Sequence, residues 1–326
     1  MSLSMHEKLK EQFLRPRKER MAMGKKLRKE VPRGSHGDWE PAADRADPLD
    51  LLQAQDEGRL KHLVPIKYGR MAASPFAFLR GSAVVMAADL APTPVMGQEV
   101  ILCGDAHISN FGLFASPERK LVFDMNDFDE CYRGPWEWDL KRLAASVVVA
   151  GRQNGFEDDV NRKLAMKAVE IYRRAMHKFA KLPALDLWYY HVGARDVEEF
   201  FDEKASKRSK KEIRKIIEKA MSRTQAKTMK KLTHIENGQR HINHEPPLLV
   251  PFREFDLSDS LEKLVINQDL EEALIKGLRL SWGEYLESLP EDRRLFLERY
   301  RVQDIALRVG GVGSVGTRCF ILLLEG

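Results

Sequence analysis

The sequence predicts an α+β protein in which helices and strands are segregated along the chain. Three observations carry this expectation. Two short apolar strands, Glu99–Cys103 and Lys120–Phe123, run straight into loops crowded with Asp and Asn. A long region behind them carries apolar residues at helical spacing. The chain then ends in a glycine-rich loop between two apolar strands. The order is helix, strand–loop–strand, helical region and hairpin, not the alternation of a parallel-sheet protein.

The elements follow in order. Residues 31–48, rich in Pro, Gly and Asp, read as a linker behind a basic arm, so residues 1–48 form an arm and linker. Ser74–Leu90 reads as a mostly buried helix with Ser74 as N-cap and Pro75 at the first position. A turn, APTPVMG, leads into the strand Glu99–Cys103, and Lys120–Phe123 is the second strand. Gly134-Pro135 breaks the chain. Asp139 is the expected N-cap of a helix with Leu140, Leu143, Ala144, Val147 and Val148 on one face. Helices are expected over 157–181, 208–231, 269–289 and 291–301, which completes a helical lobe from 49 to 300. Residues 301–326 make the hairpin: Ile305–Val309 is extended, Gly310–Gly316 is the loop, and Arg318–Leu324 is the second strand.

Composition narrows the function classes. With 326 residues and 43% hydrophobic side chains, the chain can bury a sizeable two-lobed core and is not a disordered protein. No apolar run approaches the roughly 20 residues of a membrane span. The opening MSLSMHEKLK lacks the apolar stretch of a secretory signal. Cys103, Cys131 and Cys319 lie far apart with no C-x-x-C pair. That argues against a disulfide framework or structural zinc and for a cytoplasmic location. The net charge is +5, but Lys and Arg outnumber Glu eleven to four over residues 1–33 and twelve to three over 203–231. Neither block interleaves aromatics that could stack on bases, so both read as solvated surface and nucleic acid is not an expected partner.

The chemistry concentrates in residues 103–139. Strand ends deliver Asp105, His107, Asn110, Asp124, Asn126, Asp127 and Asp129 into neighbouring loops. Carboxylates this close repel one another unless a cation, an arginine or shared protons compensate. Such hard oxygen donors suit Mg²⁺, which takes one or two carboxylates and leaves positions for phosphates. The plainer alternative is a pair of Asp/Asn-rich turns. His107 suits either a base or metal role or the holding of loop backbone. Arg80 is a candidate catalytic residue, placed where a helix could aim its guanidinium at the carboxylates or at phosphate oxygens; a surface ion pair is the alternative.

The second motif is Gly311-Val312-Gly313-Ser314-Val315-Gly316. Opening a helix, a G-x-G-x-x-G would suggest dinucleotide binding. Here a strand-like run, TRCFILLL, follows instead. A glycine loop joining two strands is the arrangement that covers ATP phosphates in kinases. Gly311, Gly313, Ser314 and Gly316 are therefore the candidate cofactor-binding residues, against the alternative of an ordinary hairpin that needs glycine for positive φ.

Asp105 and Asn110 have the D-x-x-x-x-N spacing of a kinase catalytic loop. The run CGDAHISNFG closely resembles the H-G-D-x-H-x-x-N loop of aminoglycoside and choline phosphotransferases. NDFD (126–129), GPWEWDL (134–140) and the following helix resemble the I-D-F/W, G-x-P and D-L-A motifs that come next in those enzymes. The resemblance implies that Asp105 is the catalytic base or hydroxyl-orienting residue and that Asn110 and Asp127 hold Mg²⁺. Asp139 is then a structural carboxylate supporting the loop. Asp124 competes for the metal role, but the interval from Asp127 to Asp139 matches the phosphotransferase pattern and favours Asp127. Cys103 departs from that pattern, standing where those enzymes carry histidine.

Over residues 60–326 the chain is similar to a bacterial family, domain-of-unknown-function family 2252, which is grouped with protein-kinase-like folds. RMAASPFAFLRG, GDAHISNFG, FDMNDFDE, GPWEWDLKRLAAS and GVGSVGTRCFILLLEG carry this resemblance. It implies an aminoglycoside-phosphotransferase-like fold with a mostly helical catalytic lobe. Because the glycine loop follows the catalytic loop, the nucleotide lobe is expected to be circularly permuted. Family members continue into a strand with a V-K-E-A-like lysine, so a chain ending at Gly326 is expected to be either C-terminally truncated or without the phosphate-binding lysine. The implied function is Mg²⁺- and ATP-dependent phosphotransfer to an unknown hydroxyl acceptor, a small molecule or a protein. One alternative is a catalytically weak or inactive, pseudokinase-like nucleotide-binding module. A metal-dependent phosphohydrolase ranks last, since only His107 lies near the carboxylates.

Overall fold

A computed structural model describes residues 15–204, 206–222, 225–254 and 268–326. Residues 1–14 of the expected arm, and 205 and 223–224 of the second basic block, lie outside that set. The first helices are α1 (Arg17–Glu30), α2 (Pro48–Gln55), α3 (Val64–Met71), α4 (Pro75–Gly81) and α5 (Ala83–Leu90). Four strands follow: β1 (Glu99–Leu102), β2 (Phe111–Ala115), β3 (Leu121–Met125) and β4 (Tyr132–Pro135). Then come α6 (Glu137–Gln153), α7 (Asp158–Phe179), α8 (Ala184–Trp188), α9 (Ala194–Lys204), α10 (Lys207–Met221) and α11 (Gln225–Leu232). The chain closes with β5 (Thr233–Glu236), β6 (Gln239–Ile242), β7 (Leu249–Pro251), α12 (Gln268–Ser288), α13 (Glu291–Leu297), β8 (Arg301–Arg308) and β9 (Phe320–Glu325). The protein is α+β, and all its described strand pairs are antiparallel. None of the described helices is long and apolar enough to cross a membrane.

Two compact units form, and they are interleaved in sequence. The first contains the described residues up to Leu52 and Ser74–Ala220; the second contains Gln53–Ala73 and the described residues of Met221–Gly326.

In the first unit, the strands nest. β1 pairs with β4 (Leu102 opposite Tyr132), and β2 pairs with β3 inside them (Phe111 opposite Met125). Nesting brings the β1–β2 loop and the β3–β4 loop to the same level, which is what assembles the candidate site. β2 and β4 were not expected, because FGLFA contains a glycine and YRGP ends in the Gly-Pro that reads as a break. The break is overridden: Gly134 and Pro135 lie opposite Val100 and Glu99 at the end of an edge strand, where a missing N–H is tolerated.

The helix expected over 74–90 is two helices. Ser74 caps the first, its hydroxyl accepting from the Ala77 N–H at 3.1 Å, a bond worth about 1 kcal/mol. Ser82 interrupts them at φ −125°, ψ 39°, with its hydroxyl turned back onto the Leu79 carbonyl, a local bond that competes with the helix ladder. Asp139 is not the N-cap of α6. The helix starts two residues earlier, at Glu137, with Trp136 as the cap residue. α6 packs on α7, and Trp136 stacks on Tyr172 with ring centroids 6.0 Å apart.

In the second unit, β7–β8–β9 form a three-stranded sheet. Leu60, Leu63, Leu307, Val309 and Val315 form one apolar cluster, and Ile242, Leu249, Ala306 and Leu323 form a second. The first cluster ties the segment before α3 to β8 and its loop. The helix expected over 291–301 ends at Leu297, and β8 begins at Arg301. The β5–β6 hairpin was missed, although its turn, Asn237-Gly238, has positive φ at both residues and is a strong hairpin signal.

Candidate functional site

Helix α6 holds the β1–β2 loop through a polar stripe. Asp139, Arg142 and Ser146, at i, i+3 and i+7, share one helix face. Each takes a successive point of the loop. The two carboxylate oxygens of Asp139 accept the Cys103 and Gly104 N–H groups at 2.8 and 3.0 Å. Arg142 donates Nε to Asp105 Oδ1 at 2.5 Å, pairs with the same oxygen through Nη2, and gives Nη2 to the Leu79 carbonyl at 2.6 Å. The Ser146 hydroxyl accepts the Ile108 N–H at 3.1 Å. Arg142 and Ser146 are buried, whereas the apolar positions Leu140, Leu143, Ala144, Val147 and Val148 are only half-buried.

Gly104 makes the turn into this clasp. Its φ is +79°, and a Cβ there would lie 2.0 Å from the Glu130 carbonyl oxygen. Only glycine lets the two loops approach this closely.

Asp105 is 8% exposed. Its second oxygen, Oδ2, lies 3.4 Å from His107 Nε2. Burial pushes the Asp105 carboxyl up, but the His107 hydrogen bond and the Arg142 charge outweigh it and hold it below the usual carboxylate value. His107 is itself buried, packed edge-on to Phe76, and its Nδ1 has no hydrogen-bond partner among the described residues.

Asn110 stitches the two loops together. Its Nδ2 donates to the Asp105 carbonyl at 3.1 Å and to the Asp127 carbonyl at 2.9 Å, and its Oδ1 accepts from the Asp127 N–H at 2.8 Å and the Asn126 N–H at 3.3 Å. Cys103 adds to this link: its thiol donates to the Asp127 carbonyl at 3.2 Å and accepts from Asn110 at 3.3 Å. Burial pushes the Cys103 thiol up to about 11.

The carboxylates facing outward are differently placed. Asp127 and Asp129 are exposed in the β3–β4 loop, and Asp127 Oδ1 accepts the Asp129 N–H at 3.3 Å. Asp124 lies within β3, opposite Gly112, and its Oδ1 accepts the Met125 N–H at 2.8 Å. Glu130, unnoticed in the sequence, is pushed above the usual carboxylate value first by burial and then by the charges of Asp105, Asp127 and Asp129. Among the described residues, no group of three His, Cys, Asp or Glu side chains could hold a metal on its own.

The arginine on Asp105 is Arg142, not Arg80. Arg80 Nε is buried without a hydrogen-bond partner, and no carboxylate pairs with Arg80 among the described residues. Arg142 was legible in principle, one turn beyond Asp139 on the same face.

The remaining candidates belong to the second unit. Gly311, Gly313, Ser314 and Gly316 lie in the loop joining the antiparallel strands β8 and β9. Four of its carbonyls are taken by the segment that runs into α3, while that of Ser314 accepts from Thr317 within the loop. Arg70 Nη1 donates to Gly310 and Gly311 at 2.5 and 2.7 Å, Arg59 Nη1 to Val315 at 2.6 Å, and the Leu60 N–H to Gly316 at 2.8 Å. Gly316, at φ +88°, lets the loop close against the Arg59 side chain. No local sequence signal marks Arg59 or Arg70 as partners of a loop near the other end of the chain.

Comparison with known proteins finds no match among curated proteins and none among solved structures. A family profile does match, over residues 59–326, a span that includes both loops. The chain belongs to that family, described as "Uncharacterized protein conserved in bacteria (DUF2252)".

Proposed function

We propose that this chain is a kinase-like phosphotransferase that uses Mg²⁺ and ATP to phosphorylate a hydroxyl acceptor. The observation that carries the reading is the Asn110 side chain. It joins the carbonyls of Asp105 and Asp127, so that the D-x-x-x-x-N loop and the acidic loop after β3 form one unit.

The residues fit both groups in chemical kind. Asp127 and Asp124 are exposed hard-oxygen donors, each with one carboxylate oxygen on a backbone N–H, and Mg²⁺ commonly takes only one or two carboxylates beside phosphates. Asn110 Oδ1 is engaged by two backbone N–H groups, so in this arrangement the metal role rests on Asp127, with Asp124 as its competitor. The backbone N–H groups of residues 310–316 have no acceptor among the described residues, which suits phosphate oxygens. When bound, Mg²⁺ neutralises phosphate charge during transfer.

Asp105 is held anionic by His107 and Arg142 and is therefore a weak base. Its first role is to orient the acceptor hydroxyl through Oδ2, the oxygen not taken by Arg142, and it takes the proton late. His107 steadies that oxygen. Asp139 and Gly104 fix the backbone beneath it, so catalysis here is mostly positioning.

One observation favours a second reading, a nucleotide-binding module without turnover: Asp105 is buried and both its oxygens are engaged. A single experiment separates the two. Thermal unfolding is followed with Mg²⁺ and ATP together and apart, on the native chain, Asp105→Ala and Asp127→Ala, alongside ATP consumption over a panel of hydroxyl acceptors. Saturation at a hundred times the dissociation constant adds about 2.7 kcal/mol. The phosphotransferase reading expects a larger shift with Mg²⁺ and ATP together than with ATP alone, with that Mg²⁺-dependent increment lost in Asp127→Ala, and turnover that is lost in Asp105→Ala with nucleotide affinity kept. A Mg²⁺-dependent increment retained in Asp127→Ala moves the metal role to Asp124. Binding without turnover in the native chain establishes the second reading, and no shift at all removes both.

A further inference from the structure

The glycine loop is held from behind, by the segment that runs into α3. Arg70 offers both hydrogens of Nη1 to two successive carbonyls, those of Gly310 and Gly311. Arg59 takes the Val315 carbonyl, and its Nε lies 3.3 Å from Asp56 Oδ1. The same Asp56 oxygen accepts from Lys67 Nζ at 2.5 Å, and the Lys67 side chain is wholly buried. The floor of the loop is thus an ion-pair chain of Lys67, Asp56 and Arg59, with Arg70 beside it.

In a trans peptide unit, the carbonyl and the following N–H point in opposite directions. Carbonyls of 310 and 311 aimed at Arg70 therefore turn the N–H groups of Gly311 and Val312 away from it, and the Val315 carbonyl on Arg59 does the same for the Gly316 N–H. Consistent with this, no backbone N–H from Gly310 to Gly316 has an acceptor among the described residues. Gly311 is exposed, and Val312, Gly313 and Ser314 are half-buried, so the face turned out at Gly311 and Val312 is open to a ligand, whereas Val315 and Gly316 are buried. Successive outward N–H groups make an anion-binding nest, and two guanidinium charges behind them raise its potential.

We infer that Gln53–Ala73 is a carbonyl-side clamp that presets the loop for phosphoryl anions, with Arg70 as its positioning residue. The inference rests on the proposed role of the loop as a phosphate cover. Arg70 touches no phosphate in this scheme; it acts through the peptide units it orients. Because the nest consists of amides, its affinity for a triphosphate chain does not require the carboxylates of the first unit or Mg²⁺.

The test uses the full chain, with metal-free ATP and inorganic tripolyphosphate as probes. Affinity is measured by calorimetry, and protection of the 310–317 backbone by hydrogen exchange. The native chain should bind both probes and gain protection there. Arg70→Ala should lose about tenfold or more in affinity, together with the protection, while its unliganded unfolding midpoint stays unchanged. Asp127→Ala should retain metal-free binding. If Arg70→Ala lowers the unliganded midpoint, Arg70→Met replaces it under the same criteria, since its stem keeps the packing without the donors. Affinity within about twofold of native in the variant overturns the clamp and leaves the phosphotransferase reading standing. So does native binding that requires Mg²⁺ and leaves the loop amides unprotected. A native chain silent to ATP with and without Mg²⁺ overturns both.

Discussion

The two loops that carry the candidate chemistry are held by the same device with opposite polarity. In the first unit, the Asp139 carboxylate accepts amides of the β1–β2 loop, and Ser146 accepts another. In the second, Arg59 and Arg70 donate to carbonyls of the β8–β9 loop. A loop presents whatever its support leaves unsatisfied. The first has the amides of Cys103, Gly104 and Ile108 taken, and carboxylates stand on its outward face; the second has the carbonyls of Gly310, Gly311, Val315 and Gly316 taken, which leaves amides to face outward. Beside each support lies a buried charge pair: Arg142 with Asp105, Lys67 with Asp56.

The comparison is most strongly tested by breaking those pairs. Arg142→Ala strips the buried Asp105 carboxylate of its guanidinium and leaves it with His107, and Asp56→Asn removes the carboxylate charge from Lys67. Each should cost about 3–5 kcal/mol in urea unfolding at neutral pH. Their pH dependences should run in opposite directions. Asp105 is held below its ordinary value of 3.8, so the stability it contributes is complete above that value and lost as the pH falls through its lower, folded-state value. The gap between native and Arg142→Ala therefore closes in acid. Burial pushes Lys67 below its ordinary 10.5, and losing Asp56 pushes it further, so the unfolded chain binds the extra proton and Asp56→Asn regains stability as the pH rises. Parallel pH profiles for the two variants would break the comparison.

The glycines come next. Gly104→Ala combines positive φ with a contact 2.0 Å from backbone, which cannot yield, and should cost about 3 kcal/mol or more. Gly316→Ala meets only the Arg59 side chain, at 3.1 Å, and should cost about 1–2 kcal/mol. Equal losses would show that backbone contact between the loops is not what distinguishes the first site.

Asp139→Asn offers one acceptor where two loop amides need one each, so it should cost about 1–3 kcal/mol and raise hydrogen exchange at Cys103 and Gly104. Unchanged exchange there would remove Asp139 from the clasp. The smallest effect is on reactivity. Cys131 and Cys319 are exposed and should react with a thiol reagent at pH 8, while Cys103, pushed up to about 11 and buried, should react only on unfolding.

The sequence alone determined what short-range rules encode. Ser74-Pro75 marked a helix start, apolar runs marked β1, β3, β8 and β9, and glycine marked the loop between the last two. It also supplied the residue types and the spacing of Asp105, Asn110 and Asp127. These are properties of φ, ψ and side-chain periodicity within a few residues, and they survive in almost any context. The Asn237-Gly238 turn, with positive φ at both residues, is a signal of the same short range.

Only the tertiary structure decided which pieces meet. The nesting of β2–β3 within β1–β4 depends on pairing across the whole segment, and it overrode the Gly-Pro that reads locally as a break. The choice of Arg142 over Arg80 was made by the packing of α6 under the loop, where an unpaired buried carboxylate would be intolerable. Arg70 reaches carbonyls about 240 positions away because Leu60 and Leu63 bury against Leu307, Val309 and Val315. Contacts of that range are selected by the free energy of burying apolar and charged groups together, and no local signal records it.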